Sequence, residues 1–360
     1  MQLEAGGESM DQKHDDTAAL GPPQREPPLP PPPPVRRRRF PWLLLVWVGL
    51  PLVGLVWLAW SVQGLLAPSG LVERNYDARR WHGKQKIALI EVEGAILGGE
   101  EVKQQIDRVL ADKRVQAVVL RVVSPGGTIA GSDFIYHYLS RMRAGRGDGE
   151  SIPLVVSMGG IAASGGYYVS MAVGDTPNSI YAEPTTWTGS IGVIIPHYNI
   201  EKLAENLGIQ ADSIPSHPLK EMGTMFREMK PEERAILEAL VAESFERFKQ
   251  VIERGRPHLT RQQIDDLATG QIYSATQALE LGLVDKLGYL EDAISRAIEL
   301  AGLRDEDVQV VRYVRPPSLM EQILVQSKPS PRIDIPALLD AATPRAWYLC
   351  TWLPGVAPQH

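Results

Sequence analysis

Pro153-Leu-Val-Val-Ser-Met158 runs directly into Gly159-Gly-Ile-Ala-Ala-Ser-Gly-Gly-Tyr-Tyr168. The first six residues are a short apolar run ended by a glycine pair, the pattern of a strand buried on both faces. The small residues that follow form a loop passing into a helix from about Ala163. The same unit recurs on either side. Upstream, Ile87-Ala-Leu-Ile-Glu-Val92 reads as a strand and 99–111 as an amphipathic helix with Val102, Ile106, Val109 and Leu110 on one face. Val115 to Val123 is a second strand ending at Ser124-Pro-Gly-Gly127, and 130–142 a second helix. Downstream, Ser179–Ala182 and Ile191–Ile195 read as shorter strands. Pro231-Glu-Glu-Arg opens a long helix to Gly255, with proline in its first turn and acids complementing the dipole. Shorter helices near 261–268, 275–282 and 290–301 lead to a last strand, Val308–Val314. Strands alternating with helices at this spacing give an α/β fold of stacked parallel βαβ units.

Three small-residue clusters fall at the carboxyl ends of strands: Ser124-Pro-Gly-Gly127, Met158 to Tyr168, and Thr188-Gly-Ser-Ile-Gly192. In open α/β sheets that edge is where ligands bind. Ser164 lies where strand and loop pass into a helix, so it is either a helix-capping serine or a residue beside amides that can favour developing negative charge. Gly126 and Gly127 are either a plain turn or an amide pair able to stabilise an oxyanion. Phosphate-loop, Gly-x-Ser-x-Gly and Ser-x-x-Lys motifs are absent, and Gly145-Arg-Gly-Asp-Gly149 is a surface turn. A single cysteine, Cys350, rules out an intrachain disulfide and a multi-cysteine zinc site. Without His-Glu-x-x-His, no metal or other cofactor is expected. The 43 acidic residues outnumber the 37 basic ones, against the basic footprint of a nucleic-acid binder.

The amino end is of another kind. Residues 1–39 are proline-rich and aperiodic, a composition expected to stay disordered. Arg36–Arg39 follow, and no charge appears again before Glu73. Trp42–Val62 is long enough to cross a hydrocarbon core of about 30 Å, with tryptophans near both ends. A transmembrane anchor is therefore expected over 40–64, with a juxtamembrane linker over 65–85. The arginines should keep the N-terminus cytoplasmic and send the body outside. The domain is expected over 86–313 and a proline-broken tail over 314–360. The tip of that tail, Ala346-Trp-Tyr-Leu-Cys-Thr-Trp-Leu353, could dock on the domain, a neighbouring subunit or the membrane.

The order Ser-Pro-Gly-Gly, Ala-Ala-Ser-Gly-Gly-Tyr-Tyr, Pro-Thr-Thr-x-Thr-Gly-Ser-Ile-Gly-Val, a lysine, then Gln-Ala-x-x-x-Gly-Leu-Val-Asp resembles the signal peptide peptidase SppA family over roughly 86–300. The resemblance, to the short single-repeat form, implies a crotonase/Clp protease-like fold and a serine endopeptidase with a Ser-Lys dyad. It implies a membrane-tethered, ring-shaped homo-oligomer in a bacterial cell membrane. Ser164 would be the nucleophile and Lys220, in Ser216-His-Pro-Leu-Lys-Glu221, the general base. Gly126, Gly127 and Gly165 would frame the oxyanion hole, and Ser190 would orient the lysine. The lysine must be neutral to accept a proton, which demands a dry setting; Met222, Met225 or an adjacent subunit could supply it. Two departures stand out: His217-Pro218 where the family has glycine, and Val123 where it has Asp or Asn. The expected substrates are hydrophobic membrane-associated peptides such as signal-peptide remnants. The alternatives are a protease for one membrane scaffold protein, a catalytically weak scaffold ring, and an acyl-CoA enzyme of the crotonase type.

Overall fold

The computed structural model describes residues 70–77, 83–147, 150–316 and 347–349, with Val53 alone before them. The tail expected over 1–39 and, but for Val53, the anchor expected over 40–64 lie outside the described residues. Among the described residues no helix is long and apolar enough to cross a membrane.

Among the described residues a nine-stranded sheet forms the frame. Its main path runs β1 (Val72–Asn75), β10 (Val308–Val314), β2 (Gln85–Glu93), β3 (Val115–Ser124), β5 (Leu154–Ala163), β6 (Ile180–Ala182) and β9 (Lys286–Leu287). All neighbours on this path are parallel except β1 and β10. The strands read as unbroken apolar runs because both faces are covered. Ala88, Ile90, Val118, Leu120 and Val156 face a core shared with α1 (Glu100–Ala111), α2 (Ile129–Arg143) and α5 (Pro231–Gly255). Ile87, Leu89, Ala117, Val119 and Val155 face the other side, under Ala293, Ile294, Ala297 and Ile298 of α8 (Leu290–Leu300).

Three expectations need correction. The strand expected at Ile191–Ile195 sits earlier, as β7 (Trp187–Gly189), because Gly189 and Ser190 take φ of 85° and 50° and turn the chain out of the ladder. The turn drops Ile191 fully into the core. That burial contributes about 1.5–3 kcal/mol, enough to offset a Ser190 strain of about 1–3 kcal/mol. The expected juxtamembrane linker contains β1, so the body reaches upstream of residue 86. Lys86, 2% exposed, pairs with Glu73 of β1 and with Asp112 at 2.8 Å, fastening that strand to the sheet. The expected C-terminal tail returns as β11 (Trp347–Leu349), antiparallel to the short β4 (Gly126–Thr128). Of the three destinations open to it, this stretch takes the domain itself.

Two features aim the site. Between Val122 and Ser124 of β3, the partner strand β5 goes from Met158 to Ala162, four residues against two. Gly159 and Gly160 lie in that bulge, and beyond it β5 leaves β6 and pairs with β7 through Ile161–Ala163. β7 is also held antiparallel by β8 (Ile272–Ser274), a strand absent from the sequence expectation.

Candidate active site

Ser164 follows the last residue of β5 and precedes α3 (Gly165–Ser170). Its backbone is held at φ 56°, ψ −115°, a left-handed setting that costs a non-glycine residue about 1–3 kcal/mol. Two bonds hold it there: its amide donates to the Gly189 carbonyl at 2.7 Å, and its carbonyl accepts from Tyr168 at 2.9 Å. The side chain does not cap α3. The residue is 1% exposed, and its Oγ has no hydrogen-bond partner among the described residues. An uncommitted hydroxyl on a strained turn is what an attacking group requires.

The glycines press against it. A Cβ added to Gly126, whose φ is 101°, would sit 2.7 Å from the Gly165 nitrogen and 3.0 Å from Ser164 Cβ. One on Gly165 would lie 2.5 Å from Ser132 Oγ and 3.1 Å from the Gly127 nitrogen. Only glycine allows these backbones to meet. The Gly126 amide donates to Ser124 Oγ at 3.1 Å, so Gly126 supplies room, and the Gly127 and Gly165 nitrogens lie along this close contact of backbones. Ser190 is brought close by the Ala163–Gly189 pairing, is 8% exposed, and donates its amide to the Gln271 carbonyl at 2.6 Å. Ser164, Gly126, Gly127, Gly165 and Ser190 thus form one cluster.

Lys220 is outside it. It lies on a single 3-10 turn, Pro218–Glu221, is exposed, and makes no side-chain hydrogen bond or ion pair among the described residues. The dry setting expected from Met222 and Met225 does not enclose it. His217, where the family has glycine, accepts the Leu219 amide through Nδ1 at 3.2 Å and so caps this turn. Downstream, Arg227 joins the loop to α5 by a two-pronged pair with Glu233, at 2.6 and 3.0 Å.

Of the residues that support the cluster, Tyr167 and Tyr168 lie in a quoted motif, whereas Thr128, Ser132, Asp133 and Arg247 carry no signal in the sequence beyond being polar. Thr128 accepts the Gly131 amide at 3.1 Å and caps α2, and Ser132 donates to the Thr128 carbonyl at 2.9 Å. Tyr167 donates to the Leu283 carbonyl at 2.9 Å, tying α3 to Gly282-Leu-Val-Asp285. Tyr168 donates to Asp133, which Arg247 of α5 also holds, at 3.1 Å. Burial, with that carboxylate beside it, pushes the Tyr168 phenol well above the usual range. Beside the cluster runs a groove of about 1230 Å³ lined by Thr128, Ile129, His137, Met222, Leu237 and Leu240 among others.

Residues 148–304 match the model of peptidase family S49. A Synechocystis sp. protein bearing a protease name is 39% identical over 241 residues, covering 67% of this chain and 83% of that protein. Protease 4 of Salmonella typhi is 34% identical over 72% of this chain, but the match spans only 41% of that longer protein. The chloroplastic serine protease SPPA of Arabidopsis thaliana is 30% identical over 67% of this chain and 36% of its own length. Among solved structures, a ClpP1 mutant from Listeria monocytogenes matches 57% of this chain and 94% of its own, at 16% identity and a TM-score of 0.37. With a serine cluster of this geometry and a relative matched over most of its length, the chain belongs to peptidase family S49 and is a serine-type peptidase.

Proposed function

We propose that this chain is a membrane-anchored endopeptidase in which Ser164 is the nucleophile, Lys220 the general base, and the base reaches the nucleophile from a neighbouring copy of the chain. The observation that carries this reading is the pairing of an unpartnered, strained Ser164 Oγ with a Lys220 left exposed in its own chain. The Lys220 segment exposes Tyr198 (72%), Leu207 (66%) and Ile214 (96%), and α5 exposes Leu240. Apolar surface of that extent around a needed catalytic group fits burial against a second copy. A head-to-tail repeat of such a contact closes into a ring.

In the reaction, Ser164 Oγ attacks the carbonyl carbon of the peptide while its proton passes to Lys220 Nζ. The amides of Gly127 and Gly165 take the charge developing on the carbonyl oxygen. Lys220 returns the proton to the leaving amine, then draws one from the water that hydrolyses the ester. Ser190 orients the lysine. Hydrophobic membrane-associated peptides, signal-peptide remnants among them, suit the apolar lining of the groove. The arginine-flanked apolar run 42–62 is read as the single anchor, behind a disordered tail and with the body outside the cytoplasm.

The test is treatment of purified full-length protein with a serine-directed phosphonate and mass mapping of the adduct, alongside hydrolysis of a hydrophobic model peptide. The adduct is expected on Ser164, with hydrolysis lost in Ser164→Ala. Hydrolysis that persists in Ser164→Ala assigns the chemistry to another residue.

A further inference from the structure

β5 leads into Ser164, yet strand pairing alone does not fix where the end of β5 lies. Met158 is paired with Val122 of β3 and Ala182 of β6, and pairing resumes at Ile161 against Trp187 and at Ala162 against Ser124 and Thr188. Gly159 and Gly160 have a register partner on neither side. Glycines in an unpaired bulge leave the residues beyond them free to shift and turn. Those residues are Ile161, Ala162 and Ala163, and they end on Ser164.

Two side chains bridge the gap. The Thr186 hydroxyl donates to the Gly159 carbonyl at 2.7 Å and lies 3.2 Å from the Met158 carbonyl, on the near side of the bulge. The Thr188 hydroxyl donates to the Ala162 carbonyl at 2.7 Å, on its far side. Both threonines are fully buried and flank the exposed Trp187, so one short segment grips β5 before and after the break. That segment is itself fastened. Thr188 is paired with Tyr273 of β8, and the Thr186 amide donates to the Glu183 carbonyl at 2.9 Å. Arg121 of β3 meets the Glu183 carboxylate at 2.6 Å and donates to Ser157 Oγ of β5 at 2.8 Å. The next residue, Gly189, takes the Ser164 amide. A valine has the shape of a threonine and no hydroxyl to bury. Two buried hydroxyls, each given to a β5 carbonyl, therefore serve register rather than packing.

Resting on the reading of Ser164 as nucleophile, we propose that Thr186 and Thr188 are positioning residues for peptide hydrolysis: their hydroxyls clamp β5 across its bulge and so set the place of Ser164 Oγ relative to the Gly127 and Gly165 amides. Both act through the β5 backbone. Loss of the clamp displaces the nucleophile and leaves the groove as it was, so it lowers kcat and spares KM.

The experiment compares full-length wild type with Thr188→Val, Thr186→Val and Thr188→Ser. It reads hydrolysis of a hydrophobic model peptide and the rate at which Ser164 takes a serine-directed phosphonate, with circular dichroism as the folding control. Thr188→Val should lower kcat about ten- to a hundredfold with KM within about twofold, and should slow phosphonate capture by a similar factor. Thr186→Val should act in the same direction. Thr188→Ser keeps the hydroxyl and should recover kcat to within about threefold of wild type. If Thr188→Val does not fold, Thr188→Ala set against Thr188→Ser isolates the same hydroxyl, and the serine variant should be the faster. Wild-type kcat and wild-type phosphonate capture in a folded valine variant remove that threonine from the clamp. Equal losses in Thr188→Ser and Thr188→Ala overturn the role of the hydroxyl and leave the nucleophile standing. A wild-type protein whose Ser164 takes no phosphonate fails at the nucleophile, and the clamp falls with it.

Discussion

The backbone of Ser164 is as distinctive as its unpartnered hydroxyl. The left-handed setting is paid for by the bonds to Gly189 and Tyr168 and keeps Oγ clear of the helix it precedes. On the proposed mechanism, Ser164→Ala and Lys220→Ala should each lower kcat/KM by about a thousandfold or more, and the double variant should be scarcely worse, as for a pair acting as a unit. Lys220→Arg should fail as well, since a guanidinium stays protonated and cannot serve as base. Steady-state hydrolysis with circular dichroism as the folding control checks all four. Full activity in folded Lys220→Ala would assign the base elsewhere. Ser190→Ala should be milder, about ten- to a hundredfold in kcat, if its hydroxyl only orients the lysine.

Among the elements, the Gly282-Leu-Val-Asp285 segment is the brace behind the site. Its Leu283 carbonyl holds Tyr167, and its Asp285 accepts the Ser179 and Ile180 amides at 2.8 and 2.9 Å, starting β6. Arg256, 4% exposed at the end of α5, meets Asp285 at 2.6 Å. Burial opposes the Asp285 carboxylate, but Arg256 and the two amides outweigh it and hold its carboxyl below the usual range. A carboxyl lowered on folding stabilises the fold at pH values above its unfolded pKa of about 3.9. That contribution is lost as pH falls below it and through the depressed folded value. Arg256→Ala leaves the carboxylate buried without its cation and should cost about 3–5 kcal/mol. Urea unfolding at pH 7 and pH 3 measures both effects: the variant's deficit should be large at pH 7 and shrink at pH 3. An equal deficit at both values would mean that the pair contributes through packing rather than charge.

On the proposed reading, assembly decides whether a complete site exists. If Lys220 acts on the Ser164 of a neighbouring copy, mixing inactive Ser164→Ala and Lys220→Ala proteins under conditions that exchange subunits should restore about a quarter of wild-type activity, since sites with both native residues form at random. A dyad within one chain predicts no recovery, because every copy lacks one partner. Sedimentation should give an oligomer for the active enzyme, and a monomeric mass for active protein would reject the ring. The proposed anchor has its own check. External protease on spheroplasts should digest the body and spare the N-terminal tail, and protection of the body would reverse the orientation.

The amino-acid sequence alone marks the parallel α/β frame and the neighbourhood of Ser164. Doubly buried strands appear as unbroken apolar runs, the 231–255 helix announces itself by period and proline, and the small-residue clusters must fall where strands end. These signals are local, so they can be read along the chain. It could not determine what depends on partners distant in sequence. The displacement of β7 rests on Ile191 finding the core, the capture of β1 on Lys86 meeting Glu73 and Asp112, and the seating of Tyr348 on a slot built from two helices far apart in sequence. Lys220 shows the same division from the other side. Its place in the motif order is legible, but whether it is buried and beside Ser164 depends on which surfaces pack together, and within one chain they leave it in water.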